Sequence, residues 1–130
     1  MSSIAINDML DSGQLQPINT GNIADFLAGK SLGVLFFAGG KKQRSDAHDV
    51  AVALREILKD YPGQVRAGLV SEDASAELQP QFRVLVAPSL VLLHSGETLE
   101  VIPRVRDWAD YSRAFQRYLG NPGQQHVEAN

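Results

Sequence analysis

The most chemically suggestive stretch of the chain is a glycine-marked loop that follows a run of apolar residues. The run Leu32–Phe37 ends at an Ala-Gly-Gly sequence, and the basic stretch Lys41–Arg44 comes directly after it. A strand, a glycine turn and a helix start form the setting in which proteins bind phosphate or place redox-active and catalytic side chains. The phosphate-loop pattern fails, because GxxxxGK followed by Ser or Thr needs glycine where the chain has Leu35 and a hydroxyl where it has Lys42.

Thiol chemistry is excluded by the absence of cysteine from the whole sequence. Disulfides, thiolate metal ligands, iron–sulfur clusters and cysteine nucleophiles all need that residue. The histidines His48, His94 and His126 show no zinc-ligand spacing, so the sequence predicts neither a metal nor a cofactor. An enzyme without cysteine, using Lys41 or His48, is kept as an alternative. A Ser45–His48 pair is a weaker one, because Ser45 is expected to cap a helix.

Length and composition predict one soluble domain over residues 1–130, with a helical extension over 1–14 and a flexible tail over 121–130. The formal net charge of −3 and the lack of a basic patch argue against nucleic acid as a partner. The N-terminus lacks the positive start and unbroken apolar run of a secretory signal. No stretch approaches the roughly 20 apolar residues that span a bilayer, so we expect a cytoplasmic protein that does not insert into membranes.

The spacing of apolar residues predicts strands and helices that alternate along the chain. That order indicates a mixed central sheet with helices on both faces. The predicted elements are a helix Ile4–Leu10, a strand Leu15–Ile18, a short helix capped by Thr20 or Asn22, a strand Leu32–Phe37, a long helix capped by Ser45, with Asp46 as a first-turn charge, and ending at Tyr61, a strand Gln64–Val70, a short helix Ala74–Gln79 capped by Asp73, a hairpin of Ser89–Leu93 and Thr98–Ile102, and a helix after Asp107 that buries Trp108, Tyr111, Phe115, Tyr118 and Leu119.

Two signatures in this order resemble the thioredoxin fold over about Leu15 to Leu119. The strand end Phe36-Phe37-Ala38 is similar to the one before the family's CxxC loop, and "FRVLVAPSLVLLHSGETL" is similar to its second signature, in which a cis proline precedes a hairpin. The resemblance implies an α/β, thioredoxin-like three-layer sandwich with a mixed central sheet, and a cis Pro88. It also implies a former redox loop without its chemistry, since the family's buried acid is replaced by Leu35 and the CxxC positions hold Lys41, Lys42, Gln43 and Arg44.

Within that fold the chain resembles the HyaE/HupG/HoxO group of hydrogenase expression proteins. The missing CxxC, the short N-terminal helix, the "FRV" approach to Pro88 and the Trp-led last helix carry this resemblance. It implies a non-catalytic, cytoplasmic assembly chaperone for nickel–iron hydrogenase. Such a protein would bind the small-subunit precursor and its twin-arginine signal peptide, and could contact other maturation proteins. The alternative is a structural subunit of a larger maturation complex that never binds a signal peptide.

The resemblance also assigns a peptide-binding segment. In thioredoxin-like proteins the residues before the cis proline offer backbone hydrogen bonds to an extended peptide, a mode that survives the loss of the cysteines. Here those residues are Val86 and Ala87, beside Pro88. The competing explanation is that Pro88 only shapes the edge of the core.

Acidic residues are the candidates for binding the arginines of a client, because a carboxylate can accept two parallel hydrogen bonds from a guanidinium. Glu72, Asp73 and Glu77 cluster after the third strand, although each is also an ordinary helix-start or surface residue. The basic loop 41–44 would repel a twin-arginine peptide. Its side chains could instead meet an acidic partner, or only keep the surface soluble.

Overall fold

The computed structural model describes residues 3–122 and contains a mixed sheet flanked by helices, as the apolar spacing predicts. The bounds of the predicted strands are reproduced to within one or two residues. The elements are α1 (Ile4–Asp11), β1 (Leu15–Ile18), α2 (Ile23–Leu27), β2 (Leu32–Phe37), a 3-10 turn (Lys41–Gln43), α3 (Arg44–Asp60), β3 (Val65–Val70), α4 (Glu72–Gln81), β4 (Ser89–His94), β5 (Glu97–Pro103) and α5 (Trp108–Leu119).

The five strands lie in the order β1-β3-β2-β4-β5. The first three strands are parallel, whereas β4 runs antiparallel to β2 and forms a hairpin with β5. Every residue of β2 is buried, because helices cover both faces of this central strand. The apolar run Leu32–Phe37 is therefore the middle strand of the sheet.

Two hydrophobic cores lie on opposite faces of the sheet. One packs α1, α3 and α5 against side chains such as Phe36, and it includes Leu54 of α3 and Phe115 of α5. The other packs α2 and α4 against Leu35 and Phe37. The result is the α/β three-layer sandwich of the thioredoxin-like fold, and α1 belongs to the first layer because its apolar side chains are buried there.

The start of α3 differs from the prediction. The helix begins at Arg44, after the 3-10 turn, and Ser45 is an exposed residue of its first turn instead of the cap. The physical reason is that Gly39, with φ of +86°, turns the chain early. The Gly40 N–H then donates to the Gln43 side-chain oxygen over 2.9 Å within the 3-10 turn, and Gln43 takes the cap position of α3 without a side-chain bond to the helix.

The start of α4 also differs. Ser71 is the cap, because its extended backbone lets the hydroxyl accept a hydrogen bond from the Ala74 N–H over 3.2 Å. Asp73, predicted as the cap, lies instead in the first turn beside Glu72, where the helix dipole stabilises negative charge.

Trp108 was predicted in the buried face of α5, and this is wrong. Its side chain is 47% exposed, whereas Tyr111 and Phe115 are buried as predicted. Trp108 is the first residue of the helix, so it lies beyond the turn at which α5 reaches the core. The buried stripe runs through Tyr111, Ala114 and Phe115, at the spacing expected of one helix face.

Arg66 is held inside the sheet end where β2 and β3 begin. It donates to the Phe26 carbonyl, to the Ser31 carbonyl over 2.8 Å and to the Ser31 hydroxyl over 3.0 Å. Its guanidinium carbon lies 4.7 Å from the centre of the Phe26 ring. A Cβ atom on Gly29 would overlap this guanidinium, so that glycine makes the space for it. We call this end, formed by segments 28–31, 64–66 and 94–97, the lower end.

The free edge of β1 carries a proline. Pro17 has no N–H to donate, and its carbonyl accepts a hydrogen bond of 2.8 Å from the Asn22 side chain. Ile18 bonds in the other direction, since its carbonyl accepts from the Ser71 N–H over 2.9 Å. Both backbone groups of Pro17 are therefore withheld from a neighbouring strand.

Candidate functional site

The strand register brings the candidate residues to one end of the sheet. Phe37 at the end of β2 lies opposite Ser89 at the start of β4, and Ser89 lies opposite Pro103 at the end of β5. The parallel strand β3 ends at the same side. Segments 38–43, 71–73, 84–88 and 104–108 therefore meet at what we call the upper end.

The former redox loop lies directly against the proline segment. The Ala87–Pro88 peptide is cis, as the resemblance implies. A Cβ atom on Gly39 would lie 3.0 Å from the Ala87 Cβ atom and 2.9 Å from the Gln43 Cβ atom, so only a glycine lets the loop approach this closely. Beneath the loop, Leu35 is completely buried among apolar residues of the second core. The place of the thioredoxin acid thus holds no group that transfers protons.

The backbone before Pro88 keeps hydrogen-bonding groups available. The Val86 carbonyl accepts from the Ser89 hydroxyl over 2.7 Å. Within residues 3–122, the Val86 N–H, the Ala87 N–H and the Ala87 carbonyl have no hydrogen-bond partner. Of the two residues proposed from sequence, Ala87 is therefore the more open to an added chain.

Leu85 is the most exposed large apolar side chain of the upper end. It is 93% exposed, while Val84 before it is only 4% exposed. Val84 is fixed by the bond from its N–H to the Gln79 carbonyl, at 2.8 Å. Because the chain is anchored at Val84, Leu85 is held in water next to the free backbone groups. Val105 and Trp108, at 41% and 47% exposed, add apolar surface at the same end.

Tyr111 fixes the segment that carries Val105. Its hydroxyl accepts from the Arg106 N–H over 3.0 Å and donates to the Arg104 carbonyl over 3.3 Å. The Arg104 N–H in turn donates to the Pro88 carbonyl over 2.8 Å. Burial raises the pKa of the Tyr111 phenol, and this outweighs the opposing hydrogen bond from Arg106.

The three candidate acids are placed differently from one another. The Glu72 carboxylate lies at the loop, because a Cβ atom on Gly40 would be 2.9 Å from Glu72 Oε2. Asp73 and Glu77 lie one helical turn apart on exposed positions of α4. Among residues 3–122, none of the three takes part in an ion pair. Only Glu72 is brought into contact with the former redox loop.

The loop cations Lys41, Lys42 and Arg44 are exposed and, in the described part of the chain, form no ion pair. Beneath them, a cavity of about 270 Å³ has Ala38 and Leu69 in its wall, with Ile6 of α1 and the cap residue Ser3 on its side. Sequence reasoning missed this contribution of α1. The available signal was the amphipathic pattern of residues 4–10, which requires a packing partner but does not name it.

The histidines do not form a metal site in the described residues. His48 is half-buried on α3 and His94 is exposed at the end of β4, while His126 lies outside the described residues. Among residues 3–122, no three His, Asp or Glu side chains are placed to share a metal ion. Over the same residues, no helix is both long and apolar enough to cross a membrane.

Comparison with known proteins identifies the family of the chain. Residues 5–111 match the profile of the family described as "Hydrogenase-1 expression protein HyaE". The chain belongs to the HyaE family. Membership of this family supports a role for the chain in hydrogenase maturation.

Relatives of known name support the same assignment. The chain is 32% identical to the hydrogenase expression/formation protein HupG of Rhizobium leguminosarum bv. viciae over 123 residues, which cover 92% of this chain and 83% of that protein. It is 33% identical to HoxO of Cupriavidus necator over 119 residues, which cover 90% of this chain and 74% of that protein.

A solved structure shares the fold of this HyaE-family chain. The crystal structure is described as hydrogenase expression/formation protein HupG from Rhodopseudomonas palustris CGA009, and its TM-score to this chain is 0.57. The two sequences are 32% identical, and the match covers 78% of this chain and 92% of that one. The resemblance to the HyaE/HupG/HoxO group, drawn from the sequence, is confirmed.

Proposed function

We propose that this HyaE-family chain is a non-catalytic cytoplasmic chaperone that binds the precursor of the hydrogenase small subunit, including its twin-arginine signal peptide. One observation carries the proposal: backbone groups of Val86 and Ala87 that have no hydrogen-bond partner within residues 3–122 lie next to the exposed side chain of Leu85. A folded chain gains nothing from holding a leucine in water beside unpaired amides. A client peptide supplies partners for both.

Backbone pairing is the first part of the proposed binding mode. An extended peptide that runs past Ala87 can accept from its N–H and donate to its carbonyl, as an added strand does. Such bonds read no sequence, so they suit a client whose signal peptide is variable in its apolar part. Pro88 and the loop at Gly39 fix where that peptide passes.

Apolar contact is the second part. Leu85, Val105 and Trp108 are exposed at the same end of the sheet, and a signal peptide carries an apolar run. Contiguous exposed apolar surface marks interaction sites, and these three side chains are the candidates to supply it at the upper end. Burial of about 100 Å² of Leu85 and its neighbours would contribute roughly 2.5 kcal/mol.

Charge is the third part. Glu72, Asp73 and Glu77 are unpaired within residues 3–122 and can accept the paired hydrogen bonds of arginine guanidinium groups. The loop cations repel the same arginines, so the arginines bind on the α4 side of the upper end. With no cysteine and with Leu35 in the acid position, binding is reversible docking without thiol exchange. It would delay export until cofactor insertion into the client is complete.

The test is an affinity pull-down from hydrogenase-expressing cells that compares the wild type with Glu72→Lys/Asp73→Lys. The charge-matched control is Asp60→Lys/Glu97→Lys, whose exposed residues lie away from the upper end. We expect the small-subunit precursor with the wild type and the control, and its loss from the first variant. Calorimetry with the isolated signal peptide then measures whether that peptide is the bound segment.

Capture of the precursor by all three proteins would keep the client and remove the acids from the site. Failure of the precursor and the signal peptide to bind would overturn the proposal. A stable complex with other maturation proteins on size exclusion, without any client, would then favour the structural-subunit alternative.

A further inference from the structure

A groove between the former redox loop and the start of α1 is lined mainly by basic side chains. It has a volume of about 700 Å³ and lies between the start of α1 and the start of α3. We call it the basic groove. Its lining residues include Ile4, Lys41, Lys42, Arg44 and His48.

The charge of the basic groove is uncompensated. Within residues 3–122, Lys41, Lys42 and Arg44 have no ion-pair partner, although the chain carries more acidic than basic residues. Asp46 on the first turn of α3 and Glu72 across the loop are the nearby carboxylates, and neither pairs with these cations. The N-terminal end of the 17-residue helix α3 adds positive potential.

The positions of the cations are set by local structure. The Gly40–Gln43 hydrogen bond closes the 3-10 turn that carries Lys41 and Lys42. Arg44 is the first residue of α3. The backbone that carries the three cations is therefore defined, so a partner does not have to order the loop when it binds.

An apolar side chain stands among these charges. Ile4 is 75% exposed, and it is kept there because the buried Ser3 hydroxyl caps α1 by accepting from the Ile6 N–H over 2.9 Å. A partner that fits both features has carboxylates around an apolar residue. Nucleic acid fits less well, because phosphate groups give the exposed Ile4 side chain no apolar contact.

We propose that the basic groove binds an acidic polypeptide segment that contains an apolar residue. This is a second docking site, opposite in charge to the acids of α4 and separate from the backbone groups at Ala87. It does not require that the signal peptide bind at the upper end. A client or another maturation protein can thus be held at two surfaces of opposite sign.

The test measures fluorescence anisotropy of a labelled short peptide of glutamates around one leucine, titrated with the full chain at low and at physiological salt. Lys41→Glu/Lys42→Glu should weaken binding by about tenfold, because two attractive contacts become repulsive. The control Lys30→Glu/Lys59→Glu carries the same net charge on exposed residues elsewhere and should bind as the wild type does. Ile4→Ser should weaken binding by about threefold, whereas Leu99→Ser, another exposed apolar residue, should not.

Several results would overturn this proposal: no binding of the glutamate peptide, equal binding of its glutamine analogue, equal loss in both lysine pairs, or a single-stranded oligonucleotide of equal charge bound as tightly as the peptide. Thermal unfolding of each variant checks that the fold is retained. Because the twin-arginine peptide is not used in this experiment, the outcome is independent of whether the signal-peptide proposal fails.

Discussion

Arg66 and the three cations of the former redox loop lie at opposite ends of the same sheet. At the lower end, Arg66 donates to two carbonyls and a hydroxyl and stacks on the Phe26 ring. At the upper end, Lys41, Lys42 and Arg44 are exposed and, within residues 3–122, lack ion pairs.

Positive charge has a different use at each end of the sheet. Burial lowers the pKa of the Arg66 guanidinium, but the neighbouring carbonyls satisfy its donors and it stays charged. Arg66 therefore contributes to folding. The upper-end cations contribute little to the fold and are available to a partner, so variants at the two ends should separate stability from binding.

The largest effect is expected from Arg66→Ala. Loss of its hydrogen bonds leaves the Ser31 carbonyl without the Arg66 donor, while the Phe26 carbonyl keeps its bond from the Gly29 N–H, and this should lower the free energy of unfolding by about 2–4 kcal/mol. Urea denaturation measures this change. Arg44→Ala is the matched control and should change stability by less than about 0.5 kcal/mol. Equal losses in the two variants would remove the distinction between the ends.

Gly29→Ala should cost about 1–2 kcal/mol, because the added methyl group displaces the Arg66 guanidinium from its acceptors. In the Arg66→Ala background the same substitution meets no guanidinium and should cost little. A double-mutant cycle measured by urea denaturation gives the coupling between the two residues. Additive effects would show that the glycine is not there to make space for the arginine.

Arg66 and Gly29 show which parts of the fold could be predicted from the sequence and which could not. β2 and the hairpin follow from local apolar patterns, and the cis Pro88 follows from the resemblance to the thioredoxin fold, so all three were predicted. The role of Arg66 depends on side chains that come together only in the folded sheet. One signal was present, since Gly33 interrupts an apolar run and pairs with a charged strand residue, Arg66.

The upper end was predicted unevenly for the same reason. The loop, Pro88 and Glu72 come from consecutive sequence signals, and the structure places them together. The exposure of Trp108 was missed, because helical spacing does not show that the first turn of α5 lies outside the core. Ile4 was missed as a groove residue, since it meets Lys41 only after α1 packs on α3.

Tyr111→Phe should lower the free energy of unfolding by about 1–2 kcal/mol, because two hydrogen bonds to segment 104–106 are lost. The variant also tests a pH effect. Because burial raises the folded pKa of Tyr111 above its ordinary value of 10.0, the wild type should lose stability as pH rises past that value.

The phenylalanine variant should show a smaller alkaline loss, measured by urea denaturation across that pH range. Tyr61, whose pKa is also raised by burial, leaves part of the loss in place. An unchanged pH dependence would mean that Tyr111 does not stay protonated in the folded chain.

The smallest stability effect is expected from Lys41→Ala/Lys42→Ala/Arg44→Ala, at less than about 0.5 kcal/mol, because these side chains make no ion pair within residues 3–122. Binding of the glutamate peptide should fall in this variant while thermal unfolding is unchanged. A clear loss of stability would show that the loop cations support the fold and would blur the contrast with Arg66.

Pro17 in the edge strand β1 limits self-association of the chain. An open sheet edge is a template for edge-to-edge association between copies of a chain. Pro17 offers no donor, and Asn22 already occupies its carbonyl, so the β1 edge cannot seed a ladder with a second molecule at that residue. The protein can therefore leave the Ala87 backbone groups open at the upper end while its own sheet resists edge-to-edge pairing at Pro17.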